Sequence, residues 1–419
     1  MGLLLFGSFL ALMFLGVPVA IAIALASMII LMHEGIPLML IAQRMFSGTD
    51  SFPLVAIPFF ILAGDIMAKG QVSARLVDFA DALLGFVKGG LSIVAVLAGM
   101  FFAAISGSGA ATTAAIGSTL VPELKRKGYN EACSASLIAA AGTIGVVIPP
   151  SVPMILYAVM AQESVSRLFL NGFLPGLIMS IVLIVIAVRQ ACARNYPRGA
   201  QFSGRNILRT FFHAVWGLIT PIIILGGIFS GFFTPTEAAV VAVNYALFAS
   251  LVIYRDMSLK DIYTIMCRSI MTTGVIMFII ATSSIMSWVL ANYGIPSMIA
   301  EAVLNVSTNL YVILFLVTLV ILLTGIFVET ASALIILTPV FLPLIRQLEV
   351  SLIHFGLIMV MGLAIGMITP PVAINLYVAS SITGLSIERI TRSIIPYMLG
   401  LLFVLWLVVY LPLFLPVLL

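Results

Sequence analysis

GTIGVVIPPSVPMILY (Gly142 to Tyr157) and AIGMITPPVAINLY (Ala364 to Tyr377) decide how this chain folds. Each is an apolar, helix-length stretch interrupted by a double proline. Proline removes a backbone donor and frees carbonyls of the preceding turn, which hydrocarbon tolerates only where protein or a bound ion satisfies the freed groups. One such break is a kink. Two at corresponding places in two halves of a chain point to a secondary transporter with its site near the bilayer midplane.

The surrounding composition places both breaks in a membrane. Of 419 residues, 63% are hydrophobic and 8% charged, and the mean hydropathy is +1.27. Apolar runs of about 20 residues recur from end to end, where a membrane barrel would show alternating segments of about ten. The expected fold is an all-α polytopic membrane protein. Met1 to Met32 lacks a basic n-region and a small-residue cleavage site, so it reads as retained structure; Gly16-Val17-Pro18 divides it, as one long helix or two short ones. Cys133, Cys192 and Cys267 have no metal-ligand spacing, and no disulfide is expected.

Nineteen Lys and Arg set the topology. Lys69, Arg75 and Lys88, then Lys125, Arg126 and Lys127, then Arg189, Arg194, Arg198, Arg205 and Arg209 read as cytoplasmic loop residues, followed by Arg255, Lys260, Arg268, Arg389 and Arg392. Only Arg44, Arg167 and Arg346 remain outside, a strong bias under the positive-inside rule. With both flanks cytoplasmic, Gly90 to Pro122 is too short for two crossings at about 20 residues each and must enter and return. Its middle, Ser106 to Thr113, is a small, polar, Gly-rich tip. Tyr311 to Phe341 repeats the pattern from the other face, with its tip at Val328-Glu329-Thr330-Ala331-Ser332.

An offset of 221 residues superimposes Pro122 on Pro343, Pro149 on Pro370, Pro150 on Pro371 and Pro175 on Pro396. The halves read as inverted repeats: 1–210 with a hairpin at 90–122 and a broken helix at 131–160, and 211–419 with a hairpin at 311–345 and a broken helix at 353–380. Paired crossings at Phe212 to Phe232 and Ala238 to Tyr254 have their counterpart in Met1 to Met32, which favours two short helices there. Interfacial pieces are expected at Ile36 to Phe46, Ser73 to Phe86 and Met257 to Cys267.

At each tip and break, one half-helix ends in carbonyls and the next begins with free N–H groups. Carbonyls and hydroxyls suit Na⁺, whereas a helix N-terminus suits a carboxylate, so the chemistry points to cation-coupled movement of an anionic solute. Candidate oxygens are Ser106, Ser108, Thr112, Thr113 and Thr143 with backbone around Gly145 and Ile148, and in the second half Glu329, Thr330, Ser332 and Thr369 with Asn375 just beyond the break. A lone membrane Ser or Thr more often bonds its own helix; clustering at a tip beside a break reverses that reading. Glu329 is an intramembrane acid, either a ligand or a cap of the second hairpin arm. Asp65 reads as pairing locally with Lys69, Glu237 as a helix start, and His33, His213 and His354 as interfacial.

The strings SGSGAATTAAIGSTLVPELKRKGY, GTIGVVIPPSVPMILYA, FTPTEAAVVAVNYAL and GMITPPVAINLYVAS together resemble the large membrane subunit of a tripartite ATP-independent periplasmic (TRAP) transporter, over essentially the whole chain. The resemblance implies an inverted-repeat elevator-type carrier in the bacterial inner membrane, driven by a Na⁺ gradient. It also implies a small four-helix membrane subunit, expected as a separate chain, and a periplasmic binding protein that delivers an organic acid such as a sialic acid or C4-dicarboxylate. Carried onto this sequence, one Na⁺ site takes Ser106, Gly107, Ser108, Thr112, Thr143, Gly145 and Ile148, and another takes Val328, Glu329, Thr330, Ser332, Gly366 and Thr369. Substrate would meet Ser108, Gly109, Thr112, Pro149, Pro150, Ser151, Ser332, Pro370, Pro371 and Asn375, with membrane lipid around the whole. The alternative within transporters is a stand-alone Na⁺/dicarboxylate carrier. An intramembrane serine hydrolase lacks a histidine base near Ser106 or Ser108, and a passive channel fits closed hairpins poorly.

Overall fold

The computed structural model describes residues 1–197 and 202–414; Arg198 lies outside them. The described residues form helices and no strand. In the first half these are α1 (Gly2–Phe14), α2 (Val19–His33), α3 (Met39–Thr49), α4 (Ala56–Lys69), α5 (Val72–Leu84), α6 (Gly90–Ser106), α7 (Gly109–Arg126), α8 (Glu131–Thr143), α9 (Val152–Ala161) and α10 (Val165–Ala193). The second half contributes α11 (Gly204–Phe229), α12 (Pro235–Phe248), α13 (Leu259–Asn292), α14 (Ile295–Val306), α15 (Leu310–Phe327), α16 (Thr330–Gln347), α17 (Leu352–Gly366), α18 (Ile374–Thr383) and α19 (Ile387–Phe414). Among the described residues, eight helical segments are long and apolar enough to cross a membrane. The start of the chain is two short helices, parted where Gly16 takes a positive φ and Pro18 cannot continue the helix.

Local chemistry explains where the pieces begin. Ser108, Asn130, Ser151 and Ser351 cap α7, α8, α9 and α17 through side-chain oxygens that accept a backbone N–H. Thr234 and Glu237 form a reciprocal capping box at α12, the helix start expected of Glu237. Both hairpins are present as two arms joined by a two-residue tip, α6 with α7 and α15 with α16, and both broken helices are present as α8 with α9 and α17 with α18. The Pro149–Pro150 and Pro370–Pro371 bonds are both cis. The 221-residue offset carries the first residue of α8, Glu131, onto the first residue of α17, Leu352.

The centre of the molecule is built from α8, α9, α16 and α17, which are apolar or small all round and almost wholly buried. The halves exchange partners there. The second arm of the first hairpin, α7, packs on α18, and the second arm of the other hairpin, α16, packs on α9, so each hairpin closes against the far half-helix of the opposite repeat. Around this core α13 packs on α2, α3 and α4, and α12 packs on α4.

Three expectations need correction. Met257 to Cys267 is not a separate interfacial piece. A second capping box, Ser258 with Asp261, starts α13, which then runs unbroken for 34 residues, so Arg268 lies well inside a helix and not in a loop. Lys69 pairs with Asp261 at 2.9 Å and not with Asp65. His354 is buried, not interfacial: its Nε2 sits 2.8 Å from the Val408 carbonyl oxygen. The other two short pieces appear as α3 and α5, shifted by one to three residues.

Candidate functional site

The two hairpin tips meet across one cavity of about 330 Å³. Its walls are Ser106 to Ala111 from the first tip, Glu329 to Ala331 from the second, Val146, Val152 and Pro153 from the first break, and Met367 from the second. The remaining wall comes from α4 (Ile61, Gly64, Asp65), α13 (Arg268, Thr272, Ile276), Ala114 of α7 and Val378 of α18. The α4 residues precede Lys69 and the α13 residues follow Asp261, so this wall runs from near the exposed Lys69–Asp261 pair to the middle of α13 at Ile276.

The first tip is a closed web of hydroxyls. Ser106 Oγ and Thr112 Oγ1 are 2.8 Å apart, and the Thr112 hydroxyl lies 2.8 Å from the Ser108 carbonyl oxygen that it bonds. The N–H of Val152 bonds back to the Gly107 carbonyl at 3.4 Å, tying tip to break. Gly107 has a φ of +61°, and a Cβ there would come within 2.7 Å of the Pro150 carbonyl oxygen, so the tip needs glycine twice over. In the break, Ser151 donates to the Val146 carbonyl at 2.5 Å and caps α9. Thr113 and Thr143 donate to Gly109 and Ala140, carbonyls of their own helices, at 2.9 and 2.7 Å. That is the ordinary reading of a membrane threonine, yet each such hydroxyl keeps lone pairs free to accept a cation.

At the second tip one carboxylate oxygen of Glu329 accepts from Ala331 N at 3.0 Å, Ser332 N at 3.1 Å and Ser332 Oγ at 3.4 Å. Glu329 is therefore the N-cap of α16, and it also faces the cavity. Beside it, the Thr330 hydroxyl is buried and has no partner among the described residues. Thr369 donates to its own helix at Ile365, 2.9 Å away. Asn375 crosses to the other repeat: its amide donates to the Ala139 carbonyl at 3.1 Å, while its Oδ1 stays buried without a partner among the described residues.

Of the residues singled out from sequence, the cavity gathers Ser106, Gly107, Ser108, Gly109, Glu329 and Thr330. Thr112, Thr143, Gly145, Ile148, Pro149, Pro150, Ser151, Val328, Ser332, Gly366, Thr369, Pro370, Pro371 and Asn375 do not line it. Among these, Gly145, Thr112 and Gly366 lie in the close packing between a hairpin and its break. Asp65, Arg268 and Thr272 were missed as site residues. Asp65 Oδ2 accepts the Ser269 hydroxyl at 2.7 Å, joining α4 to α13 in the cavity wall. The capping box was the signal that could have found Arg268, since it fixes the start of α13 and hence the depth of every later residue. The pairing of Asp65 with a residue 204 positions away leaves no local trace. Removing its donor, as Ser269→Ala, should lower the unfolding free energy by about 1–3 kcal/mol, the usual cost of a lost bond to a carboxylate, read as an earlier thermal transition of the purified protein.

The chain shares its overall fold with solved transporters. The Alcanivorax borkumensis YdaH transporter superimposes with a TM-score of 0.63 at 15% identity, covering 89% of this chain and 87% of that one, a likeness of fold. In sequence, the C4-dicarboxylate TRAP transporter large permease protein DctM of Pseudomonas aeruginosa is 42% identical over 89% of this chain and 87% of its own length. The sialic acid TRAP transporter large permease protein SiaM of Vibrio cholerae is 35% identical over 97% of this chain and 95% of its own. The isethionate TRAP transporter permease protein DctMQ of Oleidesulfovibrio alaskensis is 40% identical over 97% of this chain, which spans 65% of that longer relative. The family model for the tripartite ATP-independent periplasmic transporter, DctM component, matches residues 6–414. The chain therefore belongs to the DctM component family of tripartite ATP-independent periplasmic transporters, and is a multi-pass transporter subunit of the bacterial inner membrane rather than an enzyme.

Proposed function

We propose that this subunit imports an organic acid anion by sodium symport, receiving it from a periplasmic binding protein and working with a small four-helix membrane subunit. The observation that carries the reading is the meeting of both hairpin tips, and thus the N-terminal ends of α7 and α16, at one cavity. Each such end carries roughly half a positive charge, which favours an organic anion; at α16 the Glu329 carboxylate already takes the N–H groups of Ala331 and Ser332, so the end of α7, capped only by the neutral Ser108, is the better anion contact. The relatives named for C4-dicarboxylate, sialic acid and isethionate share that chemistry of a small solute bearing an acid group.

Sodium fits the donor set. The tips and breaks offer hydroxyls and carbonyls with a single carboxylate, Glu329, and two buried oxygens, Thr330 Oγ1 and Asn375 Oδ1, lack partners among the described residues. Neutral oxygens suit a monovalent cation, whereas the softer transition metals favour imidazole or thiolate. Residues around Ser106, Ser108, Thr112, Thr143 and Gly145 would hold one ion, and those around Glu329, Thr330, Ser332, Gly366 and Thr369 another. Bound sodium would supply the driving force and raise the positive potential beside the tips.

The movement we infer is an elevator displacement, in which the two hairpins and two broken helices travel together. Their mutual contacts make them one packed unit: α7 on α8 and α18, and α16 on α9 and α17. The test is uptake into proteoliposomes holding this chain and its small subunit, with the binding protein outside and an inward Na⁺ gradient. Accumulation of succinate, N-acetylneuraminate or isethionate should need both the gradient and the binding protein, and replacing Na⁺ by K⁺ should bring it to background. Accumulation by this chain alone would overturn the tripartite reading and favour a stand-alone carrier.

A further inference from the structure

We propose that Arg268 is the anion contact on the basic side of the cavity, taking the acid group of the solute as it leaves the hairpin tips. The inference rests on the organic-anion reading above and adds a residue and a direction to it.

The charge inventory of the cavity carries the argument. Three charged side chains line it: Asp65, Glu329 and Arg268. Both carboxylates are engaged, Asp65 with the Ser269 hydroxyl and Glu329 with the first N–H groups of α16. Arg268 attracts Asp65 through space but is not bonded to it: among the described residues no carboxylate lies within 4.0 Å of its guanidinium and the group donates no hydrogen bond, which leaves its N–H donors uncommitted in the cavity wall. A planar guanidinium with unspent donors is the side chain best matched to a carboxylate or sulfonate.

Position gives the contact its role. Arg268 follows Asp261 by seven residues on α13, or about 10 Å along the helix axis, and Asp261 marks the exposed basic end through its pair with Lys69. The tips lie across the cavity from Arg268. A solute held at the α7 tip meets only a partial positive charge there, with the Glu329 carboxylate at the neighbouring tip; a step toward Arg268 brings it to a full positive one. The ordinary reading of an exposed membrane arginine is a side chain that snorkels to the lipid headgroups. Against that, Thr272 and Ile276, at four and eight residues on the same helix face, line the cavity with Arg268, so this face is turned to the cavity.

The experiment uses the complete transporter in proteoliposomes and whichever of succinate, N-acetylneuraminate and isethionate the wild type carries. Exchange is measured with the solute varied inside, and separately with the solute and binding protein varied outside. Arg268→Gln should raise the internal half-saturating concentration about tenfold, the worth of one charge-assisted contact, and leave the external one within about twofold. Arg268→Lys should recover most of the loss, because it keeps the charge and loses only the fork geometry. Arg268→Met, which keeps an apolar stem for packing, should behave as Arg268→Gln does and stands in for it if that variant does not fold. An unchanged internal half-saturation in the Gln or Met variant overturns the proposal, as does an equal loss on both faces that lysine does not rescue. A wild type that carries none of the three acids sinks the anion-carrier reading itself, whereas an active wild type with indifferent variants removes only Arg268.

Discussion

Gly366→Val is expected to leave no measurable uptake and little folded protein. Any Cβ at Gly366 would overlap the Gly325 carbonyl and come within 2.7 Å of the Gly325 Cα, all backbone that cannot rotate away. Gly366 is the last residue of α17, and Gly325 lies near the end of α15, so the clash falls where the second hairpin lies against its break. Its equivalent in the first half, Gly145, is as tightly held: a Cβ there would sit 2.8 Å from the Ser108 carbonyl oxygen. Overpacking a rigid contact costs about 1–3 kcal/mol for a few atoms and more where backbone must part. The control is Gly274→Ala on α13, where nothing lies within 4 Å of the new methyl; it should stabilise by about 0.5–1 kcal/mol, as alanine for glycine does in a helix interior. Thermal unfolding of the two purified variants checks the sign of each, and a Gly366→Val protein that melts with the wild type would refute the contact.

Glu329 carries the second large effect. Glu329→Ala removes the acceptor for the first N–H groups of α16 and leaves them bare inside the membrane, at about 1–3 kcal/mol for each unsatisfied group. Glu329→Gln keeps an oxygen in the same place and loses the charge. The comparison separates two roles that the cap geometry alone leaves joined. If Glu329 only caps α16, the glutamine variant should keep sodium-driven uptake within about threefold of wild type, or about 0.7 kcal/mol. If it also holds sodium, that variant should fold normally and need at least about tenfold more Na⁺ for half-maximal uptake, the loss of one charged ligand. The readouts are thermal unfolding for the cap and the Na⁺ dependence of uptake for the ion.

The architecture was legible because its signals are local. Double prolines mark the breaks, Gly-Ser-Thr runs mark the first tip, and a constant offset relates the halves, all without knowledge of what touches what. The site was only half legible, for the opposite reason. Ser106, Ser108 and Glu329 sit at tips that the chain announces, and they line the cavity. Asp65 and Arg268 reach it from α4 and α13, whose cavity faces are set by packing against distant segments. Alternating charge at Met257 to Cys267 imitated a surface piece, and only the capping box at Ser258 shows that the helix continues past it. Asn375 was expected just beyond the second break; its N–H does bond there, at the Met367 carbonyl, but its side chain crosses to Ala139 of α8, because the exchange of partners between repeats has no sequence signature.

That exchange has a consequence for how the protein is made. The Ala139 carbonyl, in the middle of α8, waits for the amide of Asn375, and α7 waits for α18 to pack against it. At about 5–20 residues per second, a ribosome needs roughly 12–50 seconds to travel from one to the other. Through that interval the first repeat resides in the bilayer with its broken helix uncovered on one side, a nascent half-protein with a polar seam. Its completion is an event of late translation, and a chain stopped anywhere short of α18 releases a first repeat that has never met the segment that closes it.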